Sequence, residues 1–225
     1  MKLVLVSYLY NNAHCVEQML KSIIPHVDGA YTMIDDKTND KTEEICLDYG
    51  CTTRKFKFEN FGKTRNMALS WVKNKSDWHI SLDGDEALDF SSAFLLRDAI
   101  RLTEKMGYEC IRPRYKVWNN IEMNGMPIED EMHPARIVKS SSYPRVHTEK
   151  YIHETLVGHT GAVNLGEIII HHFEPYWCSP FNGKNKYYWV IDKPKRYEAT
   201  IKTHITEEGY NIWPDKEWEV ENETL

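Results

Sequence analysis

Within the first 85 residues, four short strand-like segments alternate with three helical patterns, and that rhythm constrains the chain more than any other feature of it. Lys2 to Leu9 is apolar and β-branched. After Asn11-Asn12, the residues Val16, Met19, Leu20 and Ile23 recur at three- and four-residue spacing, which reads as strand, turn, helix. Pro25 and Gly29 close that helix, and Ala30 to Ile34 reads as a second buried strand running into Asp35-Asp36. Asp40 to Tyr49 restarts a helix with Gly50 as its stop. Thr52 to Phe58 reads as a third strand, and a helix from about Lys63 to Val72 follows, with Met67, Ala68, Trp71 and Val72 on its apolar face. A fourth strand, Trp78 to Leu82, ends abruptly in Asp83-Gly84-Asp85-Glu86. Strands alternating with helices in this way predict an α/β fold with a mostly parallel sheet and helices on its faces. Ligands in such sheets bind beyond the carboxyl ends of the strands, where Asn11, Asp35-Asp36, the Gly62 turn and Asp83 to Asp85 all fall.

A helix from about Ser91 to Met106 ends this half. The rest is mixed and loop-rich, with short strands expected at Cys110 to Val117, Arg136 to Val138, Ile152 to Val157 and Glu167 to His172, and a turn at Asn124-Gly125. Lys184 to Thr203 reads as helical with a break near Pro194, and an aromatic-rich tail follows. With 225 residues and no evident linker, the expectation is one domain, 1–225, with a first half (1–106), a second half (107–180) and a C-terminal extension (181–225).

The overall charge of −6 without a long basic run disfavours nucleic acid as a partner. Five cysteines, at 15, 46, 51, 110 and 178, are odd in number and lack C-x-x-C spacing, so reduced thiols in a cytoplasmic protein are expected. The apolar run at the N-terminus is too short for a signal-peptide core or a membrane span.

Chemistry is concentrated in a few places. Two carboxylates, Asp83 and Asp85, with a glycine between them at a strand end, suit a hard divalent cation such as Mg2+ or Mn2+. The same residues could instead cap the next helix or fold back in a side-chain turn. Asp35 and Asp36 stand where a nucleotide base or ribose could donate to a carboxylate, and an Asx turn is the competing reading. Gly62-Lys63-Thr64 is no P-loop, because Lys57 stands where the pattern needs glycine; Lys63 and Arg65 remain as phosphate contacts or as an ordinary exposed cap. His153-Glu154 lacks the second histidine of a zincin, Val157 being in its place, and offers Glu154 as a general base or as part of a surface strand. His171-His172 ends an apolar strand, so alternation turns one of the pair inward, either as a structural histidine or as a third metal ligand.

Taken together, the first strand ending in Asn11, Ile34-Asp35 followed by Asn39 to Thr42, the run Phe61 to Leu69, and Trp78 through Glu86 resemble the family 2 glycosyltransferases of the GT-A fold. The resemblance covers roughly residues 3 to 175 and is greatest to the group related to lipooligosaccharide β-1,4-glucosyltransferases, in which an arginine-containing strand, a His-Glu pair and a late histidine follow in order. Arg136-Ile137-Val138, His153-Glu154 and His171 are similar in order and spacing.

The resemblance implies an inverting transfer of a sugar from a nucleoside-diphosphate donor, most of all a UDP-sugar, to a glycan, lipid-linked glycan or protein acceptor. It implies that 1–106 is the nucleotide-sugar-binding half and 107–180 the acceptor and catalytic half, that Asp35 holds base or ribose, and that Arg65 lies near the nucleotide. Ser7, Asn11, Lys63 and Asp83 are expected among the donor contacts. Asp85 is expected to bind the metal, with Asp83 and His171 as further ligands, and Glu154 is the candidate base, with Asp130, Glu131 and His133 in the same region. An acidic protein needs a local cation to hold a diphosphate, which the metal, Lys63 or Arg65 would supply. With no membrane span, a lipid-linked acceptor would require peripheral attachment, for which the basic, aromatic-interleaved stretch Lys184 to Arg196 is the candidate. Two competing readings are a sugar-phosphate nucleotidylyltransferase and a non-catalytic module that binds a sugar nucleotide or glycan. The first needs a glycine-rich loop after the first strand, and Tyr8 to Asn12 contains no glycine.

Overall fold

An apolar strand with no polar alternation must be covered on both faces, and β1 (Leu3–Leu9) is. Leu3, Leu5 and Leu9 face one layer, and Val4 and Val6 face the other. The first layer is built by α1 (Val16–Ile23), α2 (Thr42–Asp48) and α4 (Phe90–Lys105), through residues such as Leu20, Cys46 and Leu96. The second is α3 (Phe61–Val72), through Ala68, Leu69 and Val72. The computed structural model describes residues 1–118, 123, 127–130, 135–140, 145–146, 156–157 and 161–173.

Strands β2 (Ala30–Asp35), β3 (Thr52–Phe56) and β4 (Trp78–Ser81) join β1 in parallel, in the order β3-β2-β1-β4. The chain leaves β1 over the α1 face for β2 and β3, then returns over the α3 face to β4 on the other side of β1. The carboxyl ends of β1 and β4 therefore flank the point where the connections diverge, and that divergence opens a crevice.

Beyond β4 the sheet is mixed. It continues through β8 (Ile137–Lys139), β6 (Cys110–Trp118), β11 (Ala162–Phe173) and β5 (Glu86–Leu88), with β7 (Ile128–Asp130) beside β6. β6 and β11 are parallel, and the other pairings here are antiparallel. β9 (Arg145–Val146) and β10 (Leu156–Val157) form a separate two-stranded ribbon. Because β5 pairs with β11, the sheet runs without a break across residue 106.

The strand-helix rhythm read from the sequence is present, with boundary differences that have local causes. α3 begins at Phe61, two residues early, because the Asn60 side chain accepts from Lys63 N at 2.8 Å and caps it. β11 starts at Ala162 instead of Glu167, with a register shift between Leu165 and Ile169 that breaks its alternation. β5 was not expected, since three residues between a polar turn and a helix carry no period. The Asn124-Gly125 turn, most of the Ile152 to Val157 strand and the whole of 174–225 lie outside the described residues. Among those described, no helix is long and apolar enough to cross a membrane, and no disulfide joins Cys15, Cys46, Cys51 or Cys110.

Candidate functional site

The crevice between β1 and β4 is floored by the Asp83-Gly84-Asp85-Glu86 turn. Glu86 N donates to the Asp83 carbonyl at 3.0 Å, and Asp83 N donates back to Glu86 Oε2 at 2.9 Å, so the turn is closed at both ends. Ser7 Oγ donates to the Leu82 carbonyl at 2.6 Å, fastening β1 to the start of the turn. Gly84 lies flat against Asn12: a Cβ there would come 2.6 Å from Asn12 Cγ and 2.9 Å from its Cβ. Those are atoms near the backbone, fixed further by the Asn12 Oδ1 contact with Tyr10 N at 2.9 Å. Gly84→Ala is therefore expected to destabilise the fold by about 1–3 kcal/mol, as overpacking does, and to weaken ligand binding in the crevice; urea denaturation beside a binding titration would measure both.

Asp83 is held by two guanidinium groups. Arg136 Nη2 donates to Oδ2 at 2.7 Å, and Arg65 Nη2 reaches Oδ2 at 3.1 Å and Oδ1 at 3.3 Å. Arg65 also lies 4.7 Å from the centre of the Tyr8 ring, a cation–π contact. Burial alone would raise the Asp83 pKa, but Arg136 and then Arg65 outweigh it and hold the carboxyl well below the usual carboxylate range. Arg136 has a side chain only 8% exposed, and it reaches further inward. It donates from Nη2 to Glu86 Oε1 and from Nε to the Tyr115 hydroxyl, while Tyr115 itself donates to Glu86 Oε1 at 3.1 Å. For Glu86, burial dominates and pushes the carboxyl up despite Arg136.

Asp85 points elsewhere. Its carbonyl accepts from Phe173 N at 2.8 Å, and its Oδ2 lies 3.9 Å from His172 Nε2. The histidine turned toward Asp85 is thus His172 and not His171, which the sequence had suggested. Cross-strand register explains the difference: in the antiparallel β5–β11 pair His172 opposes Glu86, and His171 opposes Ala87 on the other face. His171 is engaged there by Trp118 Nε1, which donates to Nδ1 at 2.8 Å, and by Asp89 Oδ2, 3.1 Å from Nε2. Burial pushes the His171 pKa down, against the pull of Asp89.

On the β1–β2 side, Asp35 is fully buried at the end of its strand, and its Oδ1 accepts from Lys37 N at 2.9 Å, an Asx turn. Asn11 has φ 49° and accepts from Asn39 N at 3.0 Å through Oδ1, linking the loops after β1 and β2. Lys63 lies in the first turn of α3 and pairs with exposed Glu59. Glu154, Glu131 and His133 lie outside the described residues, and Asp130 is described as part of β7 only. Among the described residues no three His, Cys, Asp or Glu side chains form a ready-made metal cluster.

The reading from sequence singled out Asp83, Asp85 and Arg65 and left open which of His171 and His172 turns inward, but it gave no role to Glu86 and saw Arg136 only as part of a strand. A glutamate directly after Asp-Gly-Asp and an arginine heading an apolar strand were the available signals.

No family model and no curated protein sequence matches the chain. Solved structures do. S. aureus TarS is similar with a TM-score of 0.58 at 15% identity, over 79% of this chain and 38% of TarS. Residues 1–349 of TarS in complex with UDP give 0.59 at 16% identity, over 89% of this chain and 65% of that one. The same TarS segment in complex with UDP-GlcNAc gives 0.59 at 15% identity, over 77% and 58%. The chain thus spans less than two thirds of the length of the TarS chains it matches. Likeness at this identity is a likeness of fold, and the chain accordingly has a mixed α/β fold, a sheet flanked by helices, of the Rossmann-like kind found in glycosyltransferases.

Proposed function

We propose that the chain is a nucleotide-sugar glycosyltransferase of the inverting, family 2 kind, with a UDP-sugar as its donor. The observation that carries the reading is the division of the Asp83-Gly84-Asp85 turn. Its first carboxylate is locked by Arg136 and Arg65, and its second faces His172. In support, TarS, of similar fold, has been solved with UDP and with UDP-GlcNAc.

In this reading Asp35 and Arg65 line the nucleotide side of the crevice, with Ser7 and Asn11 shaping its floor and Lys63 at its edge. Asp85 and His172 offer one carboxylate and one imidazole, 3.9 Å apart. That pair fits Mg2+ or Mn2+, which takes few protein ligands and completes its shell with phosphate oxygens and water. Such an ion would offset the charge that builds on the departing diphosphate.

An acceptor hydroxyl oxygen bonds to the anomeric carbon as the bond from that carbon to the diphosphate oxygen breaks. The diphosphate leaves with the electron pair, and the hydroxyl proton passes to a carboxylate. Glu154 is the candidate for that carboxylate on sequence alone. The acceptor, in this proposal, is a glycan, a lipid-linked glycan or a protein.

Calorimetric titration with UDP, GDP, dTDP and CDP, each with and without Mn2+, tests the reading. Manganese-dependent binding of one nucleotide, UDP first, is expected. Binding of none by protein with native circular dichroism would sink it, and binding without sugar transfer to any acceptor or water would leave a binding module.

A further inference from the structure

His171 is next to the residue that faces Asp85, and its own hydrogen bonds settle which of its nitrogens carries the proton. An indole N–H can only donate. Trp118 Nε1 lies 2.8 Å from His171 Nδ1, so Nδ1 is the unprotonated, accepting nitrogen. The proton of the neutral ring is then on Nε2, directed at Asp89 Oδ2 at 3.1 Å. Neither nitrogen keeps a lone pair for a metal: one accepts from the indole, and the other holds a hydrogen.

What the ring grips is structural. Asp89 is the N-cap of α4, its Oδ1 accepting from Ser91 N at 2.9 Å and Ser92 N at 3.3 Å. Its own N–H donates to the Ile169 carbonyl at 3.0 Å. Trp118 is the last residue of β6, the parallel neighbour of β11. His171 therefore pins the end of β11 to β6 on one side and to the start of α4 on the other. The next two residues act on the turn: His172 faces Asp85 Oδ2, and Phe173 N donates to the Asp85 carbonyl.

We propose that His171 is a positioning residue: held between Trp118 and Asp89, it fixes the end of β11 so that His172 and Phe173 set the orientation of Asp85. The proposal rests on the reading above in one respect, that Asp85 binds a divalent cation.

Two measurements test it. The first uses metal-free protein with 15N-labelled histidine and reads the tautomer of His171 by two-bond 1H–15N correlation. A proton on Nε2 is expected, and one on Nδ1 overturns the proposal. The second compares Mn2+ affinity in the presence of UDP for His171→Gln, His171→Leu and His172→Leu. A glutamine side chain retains one acceptor and one donor in place of the imidazole, so His171→Gln is expected to stay within about threefold of the parent. His171→Leu is expected to lose about 10–100-fold, the range for groups that orient a ligand, and His172→Leu more. If His171→Gln loses as much as His172→Leu, His171 is itself a ligand; if His171→Leu loses nothing, it positions nothing. Should the parent bind no Mn2+ with any nucleotide, the functional reading fails, and the tautomer still decides whether the Trp118–His171–Asp89 relay exists.

Discussion

Arg136→Ala is expected to destabilise the protein by about 3–5 kcal/mol, the cost of removing one partner from a buried ion pair, and to abolish nucleotide binding. The guanidinium, 8% exposed, is shared by two carboxylates and a tyrosine hydroxyl. Without it, Glu86, 2% exposed, has no cation hydrogen-bonded to it among the contacts described. Asp83 retains Arg65 alone, and the Asp83–Glu86 turn loses its side-chain link to the segment that leads into β8, keeping only the Tyr115 hydroxyl of β6 on Glu86. The pH dependence has a definite sign. In the parent, Asp83 has a folded pKa below its unfolded one, so its contribution is complete at neutral pH and is lost only as pH falls through the depressed folded value. Removing Arg136 raises the folded pKa values of both carboxyls, which then take up protons more readily in the folded state. The difference in stability between parent and variant should therefore narrow on going from pH 7 to pH 5. Urea denaturation at the two pH values measures it, and a penalty under about 1 kcal/mol at pH 7 would mean that the ion pairs are not the fastening described.

Why that network escaped the sequence is a matter of distance along the chain. Asp83 and Glu86 meet Arg136 across 53 and 50 residues, and no spacing rule connects them. β1, β2 and β4 were legible because each is an apolar run bounded by polar turns, and burial on both faces of β1 follows directly from its composition. The Asp-Gly-Asp turn was legible because a strand cannot continue through it. By contrast, alternation requires that one of His171 and His172 face the sheet interior or a crevice, and only pairing with β5 shows that His172 is the one on the Glu86 side. β5 is itself three residues long, too short for any period to reveal. Asp35 shows a subtler limit: its position at the strand end is readable, but the pattern favours an Asx turn at Asp36 over one at Asp35, and it is Asp35 that accepts from Lys37 N.

Asp85→Asn is expected to remove the manganese dependence of nucleotide binding while leaving the fold in place. The substitution keeps the size of the side chain and takes away the charge on which a hard cation depends. Groups that only orient a ligand cost about 10–100-fold in metal affinity when lost, so loss of a direct carboxylate ligand should exceed about 100-fold. The effect on stability should be small, within about 0.5–1 kcal/mol, because the backbone carbonyl of residue 85 still accepts from Phe173 N and the side chain holds no buried guanidinium. Asp83→Asn provides the contrast. There the lost charge leaves Arg136 with Glu86 alone and Arg65 with a neutral amide, so stability and nucleotide binding should fall together. Electron paramagnetic resonance of added Mn2+, read beside urea denaturation of both variants, separates the two carboxylates. If Asp85→Asn binds Mn2+ and nucleotide as the parent does, the cation is held elsewhere, and the turn is a structural clasp whose second aspartate faces His172 for packing alone.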